Sequence, residues 1–249
     1  MAVEIVPLSK EDIPGAVECI QVAFAGDPYF SWVFNDPSKF SKERNVASLT
    51  TRCQWGINNA LFYVAKQTDD QPTSSGSSDS DHSEDLKRQT TQSSRIIGVS
   101  MWLPPHPPAE PESWYSYFQN WLLSARQLFN NIRFRGRGGL NMKRYGIWKA
   151  RQSEAQSKIW TDPKGYYFCN IVAVAPGTQG MGIGRKLFQV VTDVADREGK
   201  RCYLESSKGV PNVEIYRKMG FEMISEVDCV DGDDACRLYC MVRDPQQKN

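Results

Sequence analysis

The stretch that decides the fold is Gln179-Gly180-Met181-Gly182-Ile183-Gly184. It follows an apolar run, Ile171-Val172-Ala173-Val174, and a turn at Pro176-Gly177. After it, Leu187, Val190, Val191, Val194 and Ala195 recur at helical spacing. Strand, turn, glycine loop and helix in that order build a backbone cradle for a phosphate group. The first-turn N–H groups of a helix have no intrahelical acceptor, and glycines let a ligand approach them closely. The helix dipole adds roughly half a positive charge at that end. Arg185 adds a full one.

Two nucleotide-binding readings fail on spacing. A Walker loop needs Gly-Lys-Ser/Thr after its spacer. Here the chain continues Gly184-Arg185-Lys186-Leu187. A dinucleotide fingerprint needs glycines at positions one, three and six. Gly180, Gly182 and Gly184 occupy one, three and five. A purely structural turn remains as the bland alternative.

The loop also fits Gln/Arg-x-x-Gly-x-Gly/Ala through Gln179, Gly182 and Gly184, and two further blocks follow in order. Cys202-Tyr203-Leu204-Glu205-Ser206-Ser207 reads as a strand. Asn212 to Phe221 then fits Asn-x-x-x-Tyr-x-x-x-Gly-Phe, with Tyr216 as its tyrosine. Together these blocks resemble the GNAT superfamily of N-acetyltransferases, particularly the puromycin N-acetyltransferase-like members. The resemblance covers about residues 166–224. It implies an α/β fold with a central mixed, mostly antiparallel β-sheet flanked by helices, and acetyl-CoA as co-substrate.

By that resemblance Val172, Ala173 and Val174 lie on the fourth strand and hold pantetheine. The Val174 N–H is the candidate oxyanion donor. Gln179, Gly180, Met181, Gly182, Ile183, Gly184 and Arg185 form the pyrophosphate cradle. Tyr216 is the general acid that protonates the leaving thiolate. A phenol suits that task because its reference pKa exceeds a thiol's by only a unit or two. Asn212 is expected to contact pantetheine and can also cap its helix, the two being compatible. Many relatives carry a glutamate eleven residues before the loop glutamine; here that position is Phe168. Glu205 is the replacement candidate for the base, since a carboxylate in a buried strand is costly unless bonded or used. His106 is a second candidate.

The rest of the chain sets bounds. It has 249 residues, 40% hydrophobic and 24% charged, with a net charge of +1. That balance gives no bulk field to recruit nucleic acid or membrane. Seven scattered cysteines and two histidines offer no metal-ligand spacing. The beginning of the sequence lacks a signal-peptide pattern, and a cytoplasmic location with reduced thiols is expected. Residues 1–249 read as one N-acetyltransferase domain. Residues 67–94 are rich in Ser, Thr, Asp and Gln, and read as a disordered insertion in a hairpin. Residues 106–165 read as a helical insertion bordering the acceptor pocket.

That insertion holds many aromatics, including Trp114, Tyr115, Phe118 and Trp121. They either wall an acceptor pocket for a flat amine or pack extra helices onto the sheet. Arg133-Phe134-Arg135-Gly136-Arg137-Gly138-Gly139 resembles an Arg-Gly RNA-binding tract, but one copy in a neutral chain reads better as a basic loop. The functional expectation is acetylation of a small-molecule amine, such as a drug, toxin or aryl or aminoacyl amine. Protein lysine or N-terminal acetylation, and a non-catalytic acetyl-CoA-binding adaptor, are the alternatives.

Overall fold

A computed structural model describes residues 2–68, 94–107, 110–111 and 113–246. The strands are β1 (Ala2–Pro7), β2 (Leu61–Thr68), β3 (Ser94–Leu103), β4 (Tyr166–Val174), β5 (Arg201–Ser206), β6 (Glu222–Asp231) and β7 (Asp234–Arg243). The helices are α1 (Ile13–Phe24), α2 (Pro28–Val33), α3 (Lys42–Asn59), α4 (Trp114–Arg133), α5 (Met142–Ile159), α6 (Ile183–Glu198) and α7 (Asn212–Arg217).

The strands form one sheet in the order β1-β2-β3-β4-β5-β7-β6. Only β4 and β5 run parallel; every other neighbour is antiparallel. The expected mixed sheet with helices on both faces is therefore what forms. Helices α1, α2, α3 and α5 cover one face, and α6 and α7 the other.

Local sequence explains several boundaries. Pro14 stands in the first turn of α1 behind Asp12 at the cap position, where a missing N–H costs nothing. Ser41 and Asn141 cap α3 and α5 by accepting from the N–H groups of Arg44 and Arg144. Gly199 ends α6 in a left-handed conformation with φ 63°. The disordered insertion expected at 67–94 falls mostly on residues 69–93, which lie outside the described residues. Its edges are ordered: Gln67 and Thr68 pair with Arg95 and Ser94 across β2 and β3.

One buried ion pair closes the far end of the sheet. Arg243 Nη1 and Nη2 donate to the two oxygens of Asp196 at 2.6 and 2.8 Å. Arg243 Nε donates to the Met219 carbonyl, and the Gln246 N–H adds a further bond to Asp196. Both side chains are buried, at 5% and 7% exposure. The fork ties α6 to β7 and to the turn before β6. Removing one partner strands a charge out of water. Asp196→Ala is expected to destabilise the fold by about 3–5 kcal/mol in denaturant titration.

Candidate active site

The site begins with a strand pair that stops early. β4 pairs with β5 only from Tyr166↔Arg201 to Cys169↔Leu204. Beyond that point β4 continues for five more residues beside β3 alone. A bulge marks the parting, because Met101 faces Ile171 while the next residue, Trp102, faces Cys169, leaving Asn170 as the extra residue.

The direction of the free edge follows from strand parity. Ala175 N–H donates to the Ile97 carbonyl of β3 at 2.9 Å. Backbone groups alternate sides along a strand. Ala173 therefore also faces β3, and Val172 and Val174 present their backbone polar groups to the open side.

The glycine loop sits at the end of that edge. Gly180 and Gly182 adopt φ 84° and 74°, a region that disfavours any side chain. Gly182 occupies the cap position of α6 and supplies no side-chain bond. The first loop-to-helix bond runs from Lys186 N–H to the Gly182 carbonyl. Among the described residues, the backbone N–H groups from Gln179 to Arg185 donate to no protein acceptor. A Cβ built at Gly180 or Gly182 would meet nothing within 4 Å, so the loop borders open space. The helix is held close by Gly98 of β3, where a Cβ would lie 2.9 Å from Ile183 Cγ2 and 3.0 Å from Leu187 Cδ1. Arg185 is exposed, with no ion pair among the described residues. Free donors, a helix N-terminus and an unpaired cation fit a pyrophosphate. The open edge beside them fits the extended amide chain of pantetheine.

Tyr216 and Glu205 flank the split on opposite faces of the sheet. Tyr216 packs with Cys169, Leu204 and Phe188 on the α6 side. Its ring lies 5.6 Å from that of Phe188. Its hydroxyl has no hydrogen-bond partner among the described residues, and burial raises its pKa above the ordinary phenol value. Asn212 opens α7, but Pro211 holds the cap position and no side-chain cap forms. The capping role expected as one option for Asn212 is thus excluded, which leaves its amide unused by the helix.

Glu205 lies one residue past the last β4–β5 pair, on the α5 side. Its carboxylate accepts from Gln156 Nε2 at 2.8 Å, Tyr203 Oη at 2.9 Å and Gln152 Nε2. Burial raises its pKa, and these three hydrogen bonds pull it part of the way back. Lys149 Nζ donates to Gln152, one link further out.

Two expectations are corrected. His106 does not border the cleft. Because β3 and β4 are antiparallel, the end of β3 lies beside the start of β4, and the His106 backbone rests against Gly165. Val172 is seven residues further along the chain, roughly 20 Å away at strand spacing. The aromatics of α4 wall no pocket and pack on no sheet; they face solvent. The α5 aromatics pack inward instead: Trp148 meets Tyr29 of α2 with ring centroids 4.4 Å apart.

Sequence reading missed Asp27 and Ser207. The Asp27 carboxylate caps α2 by accepting from the Tyr29 and Phe30 N–H groups. It also accepts from Ser207 Oγ at 2.7 and 2.8 Å. This couples the α1–α2 loop to the residue after β5, at the mouth of the split. The Asp27-Pro28 pair was a legible helix start; its contact with Ser207, 180 residues away, was not.

Residues 144–223 match the acetyltransferase (GNAT) domain family. The matched segment runs from α5 through β4, the cradle, β5 and α7. Two curated relatives, both uncharacterized N-acetyltransferases of Schizosaccharomyces pombe, are 26% and 25% identical over 137 and 154 residues. Those stretches cover 52% and 62% of this chain, and 57% and 59% of the relatives, so the chain spans less than two thirds of their length.

Solved structures with the same fold include a Corynebacterium glutamicum protein described as histone acetyltransferase HPA2 and related acetyltransferase. It has a TM-score of 0.53 and 18% identity, covering 100% of this chain and 99% of that one. Arylalkylamine N-acetyltransferase 2 from Aedes aegypti gives 0.55 and 13%, covering 99% of this chain and 100% of that one.

Proposed function

We propose that the protein transfers an acetyl group from acetyl-CoA to the amine of a small molecule by direct attack. The observation that carries this reading is the run of unpaired N–H groups from Gln179 to Arg185 beside the open edge of β4, within the matched acetyltransferase domain. The cradle residues hold the pyrophosphate, and the backbone groups of Val172 and Val174 hold the pantetheine arm. When bound, the co-substrate supplies an acetyl thioester.

The chain's own residues then meet three needs. The Val174 N–H donates to the carbonyl oxygen as negative charge develops on it; one such preorganised donor is worth roughly 3–4 kcal/mol of barrier. Tyr216 gives its hydroxyl proton to the departing sulfur. Glu205 accepts a proton from the attacking nitrogen, relayed by water, so that nitrogen reacts with its lone pair free. Burial raises the pKa of both groups: it makes the Glu205 carboxylate a stronger base, and it keeps the Tyr216 phenol protonated before thiolate forms while making it a weaker acid toward that thiolate.

The acceptor enters from the α2–α5 face. Asp27 and Glu205 place two carboxylates on that side, which favours a basic amine as acceptor.

Incubation with acetyl-CoA and a panel of aryl, aminoacyl and polyamine acceptors is expected to release free thiol with at least one class. No release above background with any of them would leave a non-catalytic acetyl-CoA-binding adaptor. With an active acceptor, Tyr216→Phe is expected to lower kcat about 10²-fold while acetyl-CoA affinity stays within a few-fold. An unchanged kcat removes Tyr216 from the acid role.

Glu205 works as a base only when ionised, so the rate should fall as pH drops through its pKa. Because burial raises that pKa, the acid limb is expected above the ordinary carboxylate range. Glu205→Gln should abolish the limb in a pH–rate profile. A profile that keeps it assigns the base elsewhere.

A further inference from the structure

Helix α4 is built inside out. Its inner face meets α3 through polar groups. Ser48 and Gln127 bond side chain to side chain at 3.0 Å, Asn130 Nδ2 donates to Thr51 Oγ1 at 3.1 Å, and Arg44 Nη2 donates to Asn131 Oδ1 at 2.5 Å. Its outer face is apolar. Trp114, Phe118, Trp121, Leu128 and Ile132 are 82%, 51%, 58%, 60% and 67% exposed. Their spacing of four, three, seven and four residues sets them on one line along the helix, with Ala125 in the gap. Tyr115 and Phe129 widen the stripe. A 20-residue helix is about 30 Å long, so the stripe is a contiguous apolar patch of the size that often marks an interaction site.

Charge identifies what covers it. Between Ser113 and Ser153 the chain has eight Lys and Arg and no Asp or Glu. Lys143, Arg144 and Arg151 are neutralised by Asp231, Asp234 and Glu154. Arg133, Arg135 and Arg137, at the end of α4, are exposed and have no ion pair among the described residues. A second copy would bring a like-charged cluster to its own, with no carboxylate on α4 to offset it. Nucleic acid would match the arginines but leave Leu128 and Ile132 without a use. A lipid interface takes all of it: Trp and Tyr at headgroup depth, Leu, Ile and Phe at the acyl boundary, and arginines against anionic headgroups.

We infer that α4 and the Arg133–Arg137 loop dock the protein onto an anionic phospholipid surface, α4 lying in the plane of the interface. No helix among the described residues is long and apolar enough to cross a membrane, so the contact is peripheral. The near-zero net charge of the chain averages this segment away. That is why overall charge pointed away from a membrane.

The test is co-sedimentation of the full chain with vesicles of phosphatidylcholine, with and without phosphatidylserine. Binding is expected to the phosphatidylserine vesicles, with a blue-shifted tryptophan emission, and to weaken in high salt. Changing Arg133, Arg135 and Arg137 together to Ala should weaken binding on the order of 100-fold. Phe118→Ser with Trp121→Ser should abolish the emission shift and most of the binding. These positions are exposed, so circular dichroism and acetyl-CoA affinity should stay unchanged in both variants. Three results would overturn the inference: no binding to either vesicle, binding that survives both variants, or a concentration-dependent dimer that the Phe118/Trp121 variant dissociates without any vesicle binding.

Discussion

The pairing between β4 and β5 ends at Cys169 and Leu204, and the site depends on that early end. Parallel strands usually continue side by side until their loops. Here the bulge at Asn170 turns β4 aside while β3 keeps hold of it. Five residues of strand then offer one row of backbone groups to the sheet and another to a ligand. Unpaired backbone donors in a cleft are costly unless something fills them. A ligand with its own extended amides is the natural filler. The same parting places Glu205 on one face and Tyr216 on the other.

The cradle extends this edge rather than standing apart from it. Val174 leads through the Pro176-Gly177 turn into the loop, and Gly98 lets α6 approach β3 closely enough to aim its N-terminus along the split. Anion site and strand edge are therefore set by one short stretch of chain plus one missing side chain opposite. The Asp196–Arg243 fork fixes the other end of α6, so the helix is held at both termini.

Local signals in the sequence carried the cradle, β4, β5, α7 and the order of elements. Glycine spacing and the Asn212-to-Tyr216 spacing are both short-range. What stayed illegible was long-range. Periodicity reports that α4 has an apolar stripe, but not which side turns inward, and the polar partners on α3 that reverse it lie about eighty residues away. The distance of His106 from the cleft depends on β3 running antiparallel to β4, which places its end at the wrong edge. The Asp27–Ser207 contact joins two segments that no pattern links. The cradle is local in sequence, and the contacts around the split are assembled by the fold.

The most direct test of the central claim is backbone amide hydrogen exchange with and without acetyl-CoA. The N–H groups of residues 179–185 and of Val172 and Val174 meet no acceptor among the described residues and should exchange quickly. Saturating acetyl-CoA is expected to slow exchange in peptides covering both segments together, with little change in α4. Protection confined to the 179–185 loop, or absent from both segments, would contradict an acetyl-CoA site built on the split of β4 from β5.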